Sequence, residues 1–264
     1  MFNLIVTCVG SKKYEGPSIR EAVLNLLGKG IRDDVNELYN EWNRLILKNI
    51  ESSSLLRKAN EIYKGPMWSA SIDAFNEINE PKQLWIISCG FGFINSEEKI
   101  TGYHATFKPG EKDSVYNKEY FNFLGENEVK RQWWSILIKK GMINIERPKS
   151  IHELMNNSNP EDIFFVVAGK NYYEAIYDDL NEIKISEKTP KLVFIGVKRN
   201  NGKYDPQIPG KLHAYISSFS NIWKLHNLLK KEFRSCNLIQ INSRAAQFII
   251  KRYNERGQIQ LRFP

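Results

Sequence analysis

The sequence is short of the residues that most often announce a function. It has three cysteines and four histidines, too few for a disulfide framework. It contains no CxxC and no HxxxH, and His104, His152, His213 and His226 are scattered. No ligand spacing supports a zinc site. No apolar run approaches the ~18 residues that span a bilayer. The apolar start is too short for a signal peptide and leads into a strand-like pattern, so a cytoplasmic location is expected. GxGxxG and GxxxxGK[ST] are both missing, which removes the usual support for a mononucleotide cofactor. There is no internal repeat and no low-complexity linker.

Basic charge is in surplus. The 264 residues carry 38 Lys and Arg against 30 Asp and Glu, a formal net charge of +8. Such a surplus favours a polyanionic partner, nucleic acid first. The plain alternative is a solubility charge with no partner. Hydrophobic content of 42% and aromatic content of 12% are ordinary for a globular chain. The length suits one large domain.

Short, nearly continuous apolar runs predict strands at Phe2–Cys8, Leu84–Ser88, Ile163–Ala168, Leu192–Gly196 and Leu238–Ile241. Runs of this kind suit strands buried on both faces of a parallel or mixed sheet. Helical spacing is predicted over Ser18–Leu27, with Ser18 as cap and Gly28 as stop, and over Asp33–Asn49, Ser53–Tyr63 and Trp68–Ile78. Further helices are predicted over Glu128–Lys140, Tyr172–Ile183, Ile222–Phe233 and Ser243–Asn254. The fold class expected is α/β, a mostly parallel or mixed central sheet flanked by helices with long loops. It forms a single domain over 1–264, with a helical insertion at about 18–80 and a polar peripheral segment at about 141–160. Residues 99–122 and 197–212 read as long functional loops.

Ligands in open α/β sheets bind beyond the carboxyl ends of the strands. That rule nominates Cys8–Tyr14, Ser88–Phe93, Gly169–Tyr173, Gly196–Lys203 and the turn at Asn242-Ser243. A cysteine ending a buried strand is often only a small core hydrophobe. At Cys8 the adjoining Ser11, Lys12 and Lys13 favour a thiolate, the nucleophilic form. Cys89 has glycines beside it and no adjacent cation, so the core reading leads there, while Cys236 reads as structural. His104, beside Tyr103, is a candidate general acid or base, and otherwise a solvated or capping residue. Asp113, Glu97 and Glu98 are the nearby acids. Aromatic and basic residues interleave in KGPMW, GYHATFK and GKNYYEA, a mixture that suits a base taken out of its stack. Equally, these aromatic residues can be core.

Two stretches taken together carry a resemblance. TCVGSKKYEGPS, followed downstream by IISCGFGFINSEEKITGYHATF, resembles the paired motifs of the YaaA-like superfamily, including the core domain of archaeosine synthase. LYNEW, IYKGPMWSASIDAF and FFVVAGKNYYEAI resemble its helices and its later strand-Ala-Gly-x-x-Tyr motif. The resemblance covers roughly residues 1 to 200. The chain departs from the pattern in having Gly102-Tyr103 where Pro-Tyr is frequent, and in the aromatic Phe91 and Phe93.

The resemblance implies an enzyme that hydrates the nitrile of 7-cyano-7-deazaguanine in DNA to the amide, within a bacterial DNA 7-deazaguanine modification system. Its catalytic residues would be Cys8, Lys12, Lys13 and His104. Its substrate would be bound by Ser11, Tyr14, Trp68, Ser88, Cys89, Gly90, Gly92, Tyr103, Gly169 and Tyr172. No metal or organic cofactor would be needed. Partners would be DNA containing a modified guanine and other proteins of the modification system, with no membrane. Two alternatives stay open, a nucleic-acid-binding module without catalysis and amine transfer to the same nitrile in RNA. A metal nuclease is disfavoured by the lack of a carboxylate cluster. Cys8 and Cys89 both remain candidates for the nucleophile.

Overall fold

The computed structural model describes residues 1–52, 56–141, 147–183, 190–196, 222–233, 236–237 and 239–259. In chain order the elements begin with β1 (Phe2–Thr7), α1 (Ile19–Gly28), α2 (Val35–Ser52), β2 (Arg57–Lys58), α3 (Ala59–Ile62) and α4 (Pro66–Asn76). They continue with β3 (Lys82–Ser88), β4 (Gly92–Asn95), β5 (Lys99–Ile100), α5 (Glu126–Lys140) and α6 (Ile151–Asn156). The last are β6 (Ile163–Val167), α7 (Lys170–Asn181), β7 (Lys191–Ile195), α8 (Ile222–Glu232) and α9 (Ile241–Arg256).

Five strands form the central sheet in the order β4-β3-β1-β6-β7. β1 pairs parallel with both β3 and β6, β6 pairs parallel with β7, and only the edge strand β4 is antiparallel. The fold is therefore mixed α/β with a mostly parallel sheet, as the apolar runs predict. β1 is central and every one of its residues is buried. Successive side chains point to opposite faces of a strand. On one face Phe2 stacks on Phe165 at 4.9 Å and meets Tyr253 of α9 at 6.2 Å. On the other, Trp85 donates its indole N–H to Asn3 Oδ1 at 3.2 Å and stacks on Phe93 at 5.0 Å. Both faces are thus covered, the arrangement a parallel sheet requires.

The helices follow from local chemistry. Ser18 caps α1 by accepting from the Arg20 amide at 3.1 Å, and Ile19, Ala22, Val23 and Leu26 bury one stripe. The first turn of α6 is capped by Ser150, which accepts from the Glu153 amide at 3.1 Å. The buried Asp179 of α7 accepts from the Ile151 and His152 amides. This helix lies inside the segment read from sequence as a polar periphery, where its three apolar residues Ile151, Leu154 and Met155 are buried. They are too few to show a period among so many polar neighbours.

Two predicted elements are corrected. Leu238 is outside the described residues, while Ile239 and Gln240 form a turn and Ile241 opens α9, so the described part of the predicted strand Leu238–Ile241 is turn and helix. Asn237 explains the difference: its side chain accepts from the Ile239 and Gln240 amides at 3.1 Å each, which starts a turn in place of a ladder. The predicted helix Ser53–Tyr63 shrinks to the single turn of α3. Residues 53–55 lie outside the described residues, and Arg57 and Lys58 pair antiparallel with Ile100 and Lys99. The predicted strands also leave out β4, which contributes only four residues to an edge. The loop predicted over 197–212 lies outside the described residues.

His152 ties α6 to α7 and sets a pH dependence. Its Nδ1 lies 2.7 Å from Asp179 Oδ1, and Nε2 lies 3.3 Å from Glu182. The hydrogen bond to Asp179 raises its pKa above the ordinary 6.5. A raised folded-state value means that the unfolded chain loses this proton first. The stabilisation is complete below about pH 6.5 and is lost as pH rises through the higher folded value. The unfolding midpoint should therefore fall between pH 6 and 8 more steeply in the native protein than in His152→Gln. Parallel curves for the two would remove His152 as the source.

Candidate active site

The four parallel strands end along one edge of the sheet, and the turns that follow build the site. Cys8 comes one residue beyond β1, and its amide donates to Ile87 O at 3.0 Å. Across the β1–β3 pair, the Cys89 amide points at Cys8 Sγ from 3.4 Å. Gly169 caps α7, which places Tyr172 in the helix's first turn. The Tyr172 hydroxyl lies 3.0 Å from Cys8 Sγ. Phe107 backs Tyr172 edge-on at 5.3 Å. The thiol therefore has a hydroxyl on one side and a backbone N–H on the other. Cys8 is 1% exposed, so the thiol is closed to solvent in this structure.

Lys12 is the second unusual feature, a buried lysine. Its ammonium donates to Val9 O at 3.1 Å and sits 4.2 Å from the centre of the Tyr103 ring. A cation over an aromatic face replaces part of the lost hydration. Burial lowers the Lys12 pKa, and the acidic groups nearest it, Cys8, Cys89 and Asp113, oppose that shift. Desolvation disfavours the ammonium, whereas a thiolate beside it restores it. Asp113 also accepts from the Ser18 hydroxyl. Of the three acids considered, Asp113 is the one acting on this site. Glu97 pairs with Lys58 and Glu98 with Arg147, at 2.6 and 2.7 Å.

Beneath Lys12 runs a chain of buried hydroxyls. Tyr103 Oη is 2.9 Å from Tyr63 Oη and 2.7 Å from Ser88 Oγ, and Ser88 Oγ accepts from the Phe91 amide at 3.0 Å. Burial raises the pKa of Tyr63, Tyr103 and Tyr172, which keeps all three as neutral hydroxyls. Burial also pushes the Cys89 thiol well above its usual range, and its interaction with the neighbouring Cys8 adds to the shift. Cys89 is thereby held as a thiol, and its amide rather than its sulfur faces Cys8.

The turn after β3 is fixed from outside. Trp42 donates to Gly90 O at 3.0 Å and Trp133 to Cys89 O at 2.8 Å. Gly90 is required because a Cβ there would lie 2.6 Å from Tyr103 Cε2. Gly92 has φ +76 and packs against Leu137, starting β4 rather than lining the site. Trp68, in the first turn of α4, packs on Tyr63 at 4.9 Å and supports it from behind.

The remaining candidates separate into two groups. Ser11, Lys13 and Tyr14 lie on the exposed side of the turn whose buried side is Lys12. His104 pairs through Nε2 with the 97% exposed Glu15 at 3.0 Å. It stands outside the Cys8–Tyr172 and Tyr103–Ser88–Tyr63 networks. Sequence reasoning missed Tyr63, and assigned Tyr172 and Tyr103 to base binding rather than to the thiol and the lysine. Tyr63 lies in the stretch IYKGPMWSASIDAF, but nothing within that stretch singles it out. The tyrosine is placed by the isolated antiparallel bridge between Lys12 and Tyr63.

Among the described residues, no group of three or more His, Cys, Asp or Glu is placed to hold a metal ion. None of the described helices is long and apolar enough to cross a membrane. No family model, curated protein or solved structure matches the chain.

Proposed function

We propose that the protein hydrates the nitrile of 7-cyano-7-deazaguanine in DNA to the amide, with Cys8 as nucleophile. The observation that carries this reading is the Cys8 thiol at the carboxyl end of the central strand, 3.0 Å from Tyr172 Oη and beside the buried Lys12. The likeness of the flanking stretches to the YaaA-like superfamily supplies the substrate. The net charge of +8 supports a nucleic-acid carrier.

A nitrile carbon suits attack by a soft thiolate, and covalent capture divides a slow hydration into two easier steps. The Cys8 sulfur bonds to the nitrile carbon, and the nitrogen takes a proton from the Lys12 ammonium, giving a neutral thioimidate. The lowered pKa of Lys12 makes it a better acid for that transfer than an exposed lysine. Tyr172 and the Cys89 amide donate to the sulfur before attack. Water then adds to the thioimidate carbon, its proton passing to nitrogen. The C–S bond breaks, the sulfur leaves with the electron pair, and the hydroxyl proton returns to the Lys12 amine. The sum is one nitrile plus one water to one amide. In this scheme Lys12 carries the proton and His104, held by Glu15 at 3.0 Å, takes no part.

The burial of Cys8 also bears on the carrier. A base inside a duplex cannot reach a thiol beneath Tyr172, so the target base must be extruded. The experiment is mass spectrometry of nucleosides from an oligonucleotide carrying the cyano base, incubated with the full-length protein. A gain of one water is expected. An unchanged mass contradicts the reading, and a gain of an amino acid assigns amine transfer instead.

A further inference from the structure

We infer that the exposed side of the crossing between Ser11–Tyr14 and Arg57–Lys64 is a platform for the unpaired strand next to the target base. There Tyr14 stacks the neighbouring base, while Lys13, Arg57 and Lys64 hold its phosphates. The platform rests on the nucleic-acid substrate proposed above and extends it to residues that take no part in the chemistry.

The crossing is built from backbone. Lys13 N donates to Ile62 O at 2.8 Å and Lys64 N to Ser11 O at 3.2 Å, on either side of the Lys12–Tyr63 bridge. Lys12 and Tyr63 turn inward, leaving Lys13 and Lys64 exposed on the outside. Tyr14 is 39% exposed, and the Arg57 guanidinium lies 5.7 Å from its ring centre. An exposed tyrosine with a cation at its ring is a stacking surface with a phosphate donor beside it. Lys13, Arg57 and Lys64 enter no ion pair among the described residues, whereas neighbouring Lys58 is held by Glu97. The acid in the turn, Glu15, is drawn off by His104 at 3.0 Å.

The turn is also tightly packed against its neighbour. The Gly16 and Gly102 backbones cross so closely that neither position has room for a Cβ, and a Cβ at Gly102 would lie 2.6 Å from Tyr14 O. Tyr14 is thus presented on a fixed scaffold with little ordering left to be lost on binding. The buried end of the same turn is Lys12, so the platform and the proposed chemistry are carried by one turn. Single-stranded nucleic acid is the occupant that uses both the π face and the unpaired cations.

The test measures the binding of the full-length protein to an unmodified, fluorescently labelled single-stranded oligonucleotide over a range of salt. Tyr14→Ala should weaken binding about tenfold at every salt concentration, and Tyr14→Phe should bind like the native protein. Arg57→Ala and Lys64→Ala should each lower the slope of log affinity against log salt by about 0.7. Native-like binding by Tyr14→Ala overturns the platform and leaves nitrile hydration standing. Tighter binding of the matching duplex also overturns it, because stacking on Tyr14 needs an unpaired base. Failure of the native protein to bind, with hydration of the free nucleoside retained, removes the platform alone. The expected binding pattern without any hydration keeps the platform and removes the proposed chemistry.

Discussion

Cys8→Ala is expected to lose nitrile hydration by at least about 10³-fold, the scale on which enzymes lose activity with their nucleophile. DNA binding should remain near native, because the basic surface lies on the other side of the turn from the thiol. The structure makes this a sharp test. Cys8 is a small buried residue, and truncating it removes only a sulfur atom. The fold should persist, and circular dichroism should show it. Cys89→Ala serves as the contrast. Its sulfur is held protonated by burial, and the amide that faces Cys8 survives the substitution, so most activity should remain. If Cys8→Ala is fully active, covalent catalysis fails and direct attack by water on a nitrile polarised by Lys12 takes its place. If Cys89→Ala alone is inactive, the nucleophile is reassigned.

Gly16→Ala should be the most damaging single methyl group in the site. A Cβ at Gly16 falls inside any permissible separation from the Gly102 carbonyl, and both partners are backbone that cannot swing aside. The two loops must part. One carries Lys12 and Tyr14, and the other carries Tyr103 and His104. Overpacking typically costs about 1–3 kcal/mol, and a backbone clash belongs at or above the upper end of that range. The unfolding midpoint should fall by several degrees, and activity should fall further than stability because Lys12 loses its seat over Tyr103. Gly28→Ala is the control. No neighbour lies within 4 Å of a Cβ there, and Gly28 ends α1, so alanine should be neutral or slightly stabilising. Equal midpoints for Gly16→Ala and the native protein would show that the loops are not locked at this crossing.

The sequence made the sheet legible where apolar runs were long enough to fill a buried strand. β1, β3, β6 and β7 all read correctly to within two residues at each end. The run at Leu238–Ile241 had the same composition, yet the Asn237 side chain converted it into the start of a helix. Three apolar residues in four do not distinguish a strand from the first turn of a buried helix. β2 and β5 were illegible because each exists only through its pairing with the other. In the site, the carboxyl-end rule brought Cys8, Cys89 and Gly169 to one edge from sequence alone. It could not say which way each side chain pointed. Lys12 and Lys13 look equivalent in sequence, and only the bridge to Tyr63 turns one inward and the other out. Tyr103 and His104 adjoin for the same reason, with the tyrosine in the core and the histidine on Glu15.

The most direct test of the central claim is to trap the reaction and find the atom that carries the base. The full-length protein would be mixed with an oligonucleotide containing 7-cyano-7-deazaguanine, quenched in acid during turnover, digested and mapped by peptide mass. The account predicts a thioimidate on the peptide containing Cys8, at the mass of the nucleoside fragment, and no adduct in Cys8→Ala. Label on the peptide of Cys89, or steady conversion to the amide with no protein adduct at any quench time, would contradict it.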